Sequence, residues 1–264
     1  MRRSLYGIQP YLRDVASWVW HEQGAARHHG LKLQEETITE TLLLRMAREC
    51  QHLGLRVRMF NRIEEGGRKK TTRVGNGADW EWFVTTDHCR VGFRVQAKVL
   101  SSGLTRNGAL SIGKYDGLLD DRKQTSALIK DAAASECNPI YVFYNHSWVS
   151  DRALFSSSRH EFPVVPGDWG CAVAKAAFVQ RQTGNKLSTL IHGMLPWHRF
   201  FGIDQGCVSK RAMQDMAGDQ EFIPRTTTPT WLNLMSEGEE GLNRYLVENR
   251  LRGVAHLDFC EFEG

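Results

Sequence analysis

The chain has 264 residues, 41% of them hydrophobic and 24% charged, proportions ordinary for a soluble globular protein with a sizeable core in one large domain or two small ones. A formal net charge of +4 accommodates nucleic acid without demanding it. Six cysteines without a CxxC pair argue against a zinc site and a disulfide framework and for a reduced, cytoplasmic setting, and no apolar run is long enough for a signal peptide or a membrane span.

In chain order, residues 9–22 predict a short amphipathic helix with Tyr11, Val15, Trp18 and Val19 at helical spacing, broken by "GAARHHG". The next stretch, "TITETLLLRMARECQHLG", predicts a longer one. Thr37 and Glu40 have the spacing of a capping box, Ile38, Leu42, Met46, Cys50 and Leu53 share a stripe, and Gly54 suits the stop. "LRVRMFNR" alternates as a half-buried strand. A glycine-bearing loop with Arg68, Lys69, Lys70 and Arg73 precedes two strands, around 79–86 and 90–100, joined by "TTDHC". A helix over 121–135 and the apolar strand "PIYVFYN" complete an α-β-β-β-α-β order from Ile38 to Asn145. Beyond 146 the pattern predicts helices near 170–182 and 238–251, a closing strand at 254–261 and an aromatic plug in "LPWHRFFG". The organisation is a helical extension over 1–35, a core over 36–146, and an α/β elaboration or second small domain over 147–264.

Alternate residues of a strand share a face. Val91, Phe93, Val95, Ala97 and Val99 make one face of the third strand apolar, while Arg94, Gln96 and Lys98 line the other. Asp79 and Glu81 share a face of the second strand, opposite Trp80 and Trp82. If the two strands pair as a hairpin, Asp79, Glu81, Gln96 and Lys98 converge on a face that need not point into the core. The Asp79 carboxylate, the Gln96 amide oxygen and the Ala97 carbonyl then offer oxygen ligands to a hard cation such as Mg²⁺. On the same face, Lys98 can orient a water or stabilise charge on a phosphate.

Asp79 followed by the strand "VQAKV" resembles the PD-(D/E)XK nuclease superfamily, whose common core has the α-β-β-β-α-β order read above. The likeness covers roughly residues 36–145. It implies an α/β fold with a restriction-endonuclease-like core, a mixed central sheet and a helical C-terminal elaboration. It also implies Mg²⁺- or Mn²⁺-dependent hydrolysis of phosphodiesters, with Asp79, Gln96 and the Ala97 carbonyl as metal ligands and Lys98 as the catalytic lysine. Members often add a glutamate from the first core helix, for which Glu40 is the candidate and Glu36 the reserve. As the third helical residue after Thr37, Glu40 also has a capping role open to it. Glu81 could supply a further carboxylate. Gly77 and Ala78 stand where the signature has proline, and Gln96 stands where an acidic residue is commoner.

The same likeness gives the basic loop Arg68, Lys69, Lys70 and Arg73 a phosphate-tracking role, and gives Gln124, at the start of the next helix, a supporting polar one. It points to a restriction enzyme or a bacterial anti-phage effector acting on DNA ahead of RNA, away from membranes, with a homodimer an open possibility. The alternative is a nuclease-like subunit that has lost catalysis and binds nucleic acid or serves assembly, which Gln96 favours.

Overall fold

The strand pair expected at 79–86 and 90–100 forms the middle of an eight-stranded mixed sheet in an α/β protein. The computed structural model describes residues 8–53, 55–61, 77–118, 122–156, 165–204 and 207–259. In chain order these are α1 (Ile8–His28), α2 (Glu35–Glu49), β1 (Arg56–Asn61), β2 (Trp80–Thr85), β3 (Arg90–Ser101), β4 (Lys114–Tyr115), α3 (Arg122–Ala134) and β5 (Cys137–Tyr144). There follow β6 (Cys171–Lys175), α4 (Ala176–Gln180), α5 (Leu187–Leu190), β7 (Leu195–Pro196), α6 (Trp197–Phe200), β8 (Ile203–Asp204), β9 (Cys207–Val208) and α7 (Lys210–Asp215). The last three elements are α8 (Thr230–Glu237), α9 (Glu239–Glu248) and β10 (Gly253–Asp258).

The sheet runs β1-β10-β2-β3-β5-β6-β7, with β4 paired to β3 off that path. β2 and β3 are antiparallel with Trp80 opposite Val95 and Glu81 opposite Arg94, while β10 runs parallel to β2 and β5 parallel to β3. The C-terminal region therefore shares the central sheet: β10 lies between β1 and β2, and β6 and β7 widen the far edge. One face packs Trp80, Trp82, Phe93 and Val95 against the apolar stripes of α1 and α2. The other packs Phe83, Tyr141 and Phe143 with Leu128 of α3, Trp231 of α8 and Leu242 and Leu246 of α9. The aromatic plug is as expected, with Trp197, Phe200 and Phe201 buried.

Several local expectations give way. α1 does not break at Gly24 but runs through Ala25 and Ala26, good helix formers, to His28. It stops at Gly30, whose positive φ of 74° closes a Schellman motif: the Gly30 amide donates to the Arg27 carbonyl (3.1 Å) and the Leu31 amide to that of Ala26 (2.7 Å). α2 begins two residues ahead of Thr37, so there is no capping box. Gln34 precedes the first turn without a side-chain cap, and Glu35 and Glu36 instead suit the positive end of the helix dipole. The helix expected over 170–182 is strand β6 followed by the short α4, because Cys171–Lys175 is buried throughout and pairs with both β5 and β7. The helix expected over 238–251 is α9, and a helix that was not expected, α8, precedes it and meets it at Gly238 with a positive φ of 129°. Cys89 and Cys207 form a disulfide that spacing alone did not signal.

The largest departure concerns the polar row on β2 and β3. Glu81, Arg94 and Gln96 are buried beneath the second helical layer rather than facing solvent.

Candidate active site

Asp79 sits just ahead of β2, held by both neighbouring strands: its amide donates to the Val95 carbonyl (2.8 Å), and its carbonyl accepts the Arg252 amide (2.7 Å). The approach to it needs glycine. Gly77 has φ of 83°, and a Cβ there would lie 2.2 Å from the Gln124 carbonyl oxygen, so the chain runs tight against α3 where the nuclease signature has a proline nearby. The pairing register brings Gln96 opposite. Gln96 Nε2 donates to Asp79 Oδ2 and, at 3.1 Å, to the Ala97 carbonyl, while the Ala97 amide donates to the same carboxylate oxygen at 3.2 Å. Gln124 Nε2 donates to Gln96 Oε1 at 2.8 Å, which fixes the rotamer of that amide from α3.

Two further side chains close the cluster from elsewhere in the chain. Arg252, at the entrance to β10, puts Nε 3.3 Å from Asp79 Oδ1, and its Nη1 pairs with Glu36 Oε1 on the first turn of α2. Glu35, beside it, accepts the Val99 amide at 3.4 Å. Lys98 follows Gln96 on the same face of β3, half-buried, and among the described residues its ammonium has no hydrogen bond or ion pair. The Asp79 side chain is only 17% exposed. Burial pushes its carboxyl up to about 6, against the opposing pulls of Arg252, the Ala97 amide and Lys98, with Glu36 adding to the rise.

The candidates thus separate. Asp79, Gln96, Ala97, Lys98 and Gln124 converge, and Glu36, the reserve, is the helix glutamate tied to Asp79 through Arg252; Glu40 lies one turn further along α2. Glu81 is committed elsewhere. Oε1 pairs with Arg225 at 2.8 Å, Oε2 pairs with Arg94 at 3.2 Å, and Oε2 also accepts the Tyr245 hydroxyl at 3.0 Å. Arg94 continues to Asp131 at 3.1 Å and Ser135 at 2.9 Å, so Glu81 is the hub of a buried ion-pair network that ties β2 and β3 to α3 and α9. The basic loop Arg68, Lys69, Lys70 and Arg73 lies outside the described residues. Arg252 and Glu35 escaped sequence reasoning: Arg252 is remote from the motif, with no local pattern to mark it, and Glu35 was masked by the misplaced helix start.

Among the described residues, no three or more His, Cys, Asp or Glu side chains group to hold a metal ion. What converges instead is two carboxylates, a backbone carbonyl and a carboxamide that turns its nitrogen toward them; with the amide oxygen turned in, the set would suit a hard divalent cation. Gln96 Oε1 faces Gln124 and Nε2 faces Asp79; a half-turn of both amides together would set Gln96 Oε1 beside Asp79 and the Ala97 carbonyl, where a cation could take it, and leave Gln96 Nε2 donating to Gln124 Oε1.

A family model spanning residues 8–255, nearly the whole chain, matches this sequence. The chain belongs to DUF6615, a family of unknown function. No curated protein matches it, and neither does any solved structure. The matched span of this DUF6615 chain takes in Glu36, Asp79, Gln96, Lys98, Gln124 and Arg252 alike. Among its described residues, no helix is long and apolar enough to cross a membrane.

Proposed function

We propose that this chain is a divalent-metal-dependent nuclease with a restriction-endonuclease-like core, hydrolysing phosphodiester bonds of DNA ahead of RNA. The observation that carries the reading is the meeting of Asp79, the Gln96 amide, the Ala97 carbonyl and Lys98 at one end of the β2–β3 pair, with Glu36 linked to the same carboxylate. Asp79, Glu36, Gln96 and the Ala97 carbonyl would hold Mg²⁺ or Mn²⁺, with Glu40 a turn away and Glu81 outside the set. Such an ion, when bound, supplies a hydroxide nucleophile and offsets charge on the phosphate. The chain's own part is electrostatic and positional. Asp79 stays ionised at neutral pH, Gln124 fixes Gln96, and the Lys98 ammonium, without a hydrogen bond or ion pair among the described residues, orients the attacking water or stabilises charge developing on the phosphoryl oxygens. The charges of Arg68, Lys69, Lys70 and Arg73 would serve to hold the phosphate backbone. The biological settings that fit are a restriction enzyme and a bacterial anti-phage effector.

A second reading has its own support. Both carboxylates are satisfied without a metal, Asp79 by Gln96, Ala97 and Arg252, and Glu36 by Arg252. A nuclease-like subunit that binds nucleic acid without cutting it would look the same. The test is incubation of the purified chain with plasmid, linear and single-stranded DNA and with RNA in Mn²⁺, alongside melting curves with and without the ion. Cleavage by wild type and none by Asp79→Ala, with Mn²⁺ raising the Tm of wild type alone, is the expected result. Binding to DNA with neither cleavage nor a Tm shift would move the assignment to the second reading.

A further inference from the structure

Arg252 is the cluster residue that the nuclease signature leaves unexplained. Its main chain is fixed on both sides: the amide bonds to the Asp79 carbonyl, Leu251 is buried, and a Cβ on Gly253 would come 2.5 Å from the Trp80 ring and 2.8 Å from the Phe60 carbonyl oxygen. The side chain is different, 53% exposed, with its guanidinium bridging Asp79 and Glu36. A guanidinium carries a permanent charge on a planar fork of donors that suits two carboxylates or two phosphoryl oxygens equally well. It competes with a divalent ion for the same carboxylate oxygens, because two cations a few ångströms apart in a partly buried site repel each other.

We propose, resting on the metal-site reading above, that Arg252 is an exchangeable internal cation. It holds Asp79 and Glu36 while no metal is bound, yields them when a divalent ion enters, and turns its freed guanidinium to the substrate phosphate. The exchange needs only side-chain torsions, since the backbone on either side stays pinned.

The test is a Mn²⁺ titration of the full chain, read by thermal melting, on wild type, Arg252→Gln and Glu36→Gln, with DNA cleavage measured at saturating Mn²⁺. Arg252→Gln is expected to lower the half-saturating Mn²⁺ concentration about tenfold, the charge of one competing cation having been removed, and to slow cleavage. Glu36→Gln is expected to raise that concentration. The backbone bond to Asp79 survives both substitutions, and Arg252→Lys provides a charged control that is expected to fall between wild type and Arg252→Gln. An unchanged or weaker Mn²⁺ affinity in Arg252→Gln, with wild type binding normally, overturns the exchange. Tighter Mn²⁺ with undiminished cleavage overturns the phosphate role. If neither wild type nor Arg252→Gln gains stability from Mn²⁺, the metal-site reading itself fails, and the proposal with it.

Discussion

At position 96 the charge on one side chain decides how the cluster behaves without metal. Gln96 Nε2 is a donor against Asp79 Oδ2, so Gln96→Glu sets carboxylate against carboxylate in a mostly buried site. The metal-free variant is expected to lose about 1–3 kcal/mol at pH 7.5, the cost of replacing a buried hydrogen bond by like-charge contact. Its Mn²⁺ affinity should rise, since the site gains a negative charge. Melting curves with and without Mn²⁺ read both effects, and a variant as stable as wild type that binds Mn²⁺ no better would remove residue 96 from the cluster's chemistry. Lys98 gives the complementary case. Its ammonium has no partner among the described residues, so Lys98→Ala strands no buried charge, and its effect on stability should stay within about 0.5 kcal/mol. Cleavage should fall by at least about a hundredfold, the scale of losing one preorganised charge at a reacting phosphate. Loss of stability in step with activity would mark Lys98 as a packing residue instead.

Elements are joined here by charge as much as by apolar contact. Glu81 on β2 meets Arg94 on β3, Arg225 in the segment before α8, and Tyr245 on α9, all inside the second helical layer. Glu81→Gln leaves Arg94, 1% exposed at its side chain, with only the partly exposed Asp131 as counter-charge, and should cost about 2–4 kcal/mol in urea unfolding. The stabilisation the folded variant gains from Mn²⁺ should equal that of wild type, whereas loss of that gain would make Glu81 a metal ligand after all. This network also shows what was legible in the sequence. Period-two alternation located β2 and β3 and put Asp79 and Gln96 on one face of a strand pair, because those are properties of two adjacent strands; their register came only with the structure. That the polar face is buried as well was not legible, because α9 and Arg225, which cover it, come from a distant part of the chain. β6 was misread for a related reason: its alanines favour a helix locally, and only the pairing with β5 and β7 makes Cys171–Lys175 a strand. Arg252 left no trace, its place beside Asp79 being set by β10 entering between β1 and β2.

At the scale of the molecule, three histidines buried among the described residues set the response to acid. Burial lowers His146, His198 and His256 to about 4 each. The partners of two of them fix the neutral tautomer. His146 Nε2 donates to the Leu100 carbonyl while Nδ1 accepts the Trp148 amide, and His256 Nδ1 accepts from Arg58 while Nε2 donates to Thr85. A folded pKa below the unfolded 6.5 means that the unfolded chain takes up protons first as pH falls. Each histidine therefore costs nothing above pH 6.5 and up to about 3 kcal/mol by pH 4. Asp79 works in the opposite sense. Its folded pKa of about 6 lies above the ordinary 3.8, so its ionised form is a penalty at pH 7 that fades as pH falls through 6. That relief is worth up to about 3 kcal/mol, one residue's share against three, so the histidines win. The metal-free protein should lose Tm steadily from pH 6.5 to 4.5. His146→Gln, which can still donate to Leu100, should flatten that loss, and Asp79→Asn should steepen it by removing the compensation while raising Tm at pH 7.5. Melting curves at half-unit pH intervals on the three proteins, without metal, provide the check, and a Tm that held level from pH 7 to 5 in wild type would show that these histidines are not held neutral by the fold.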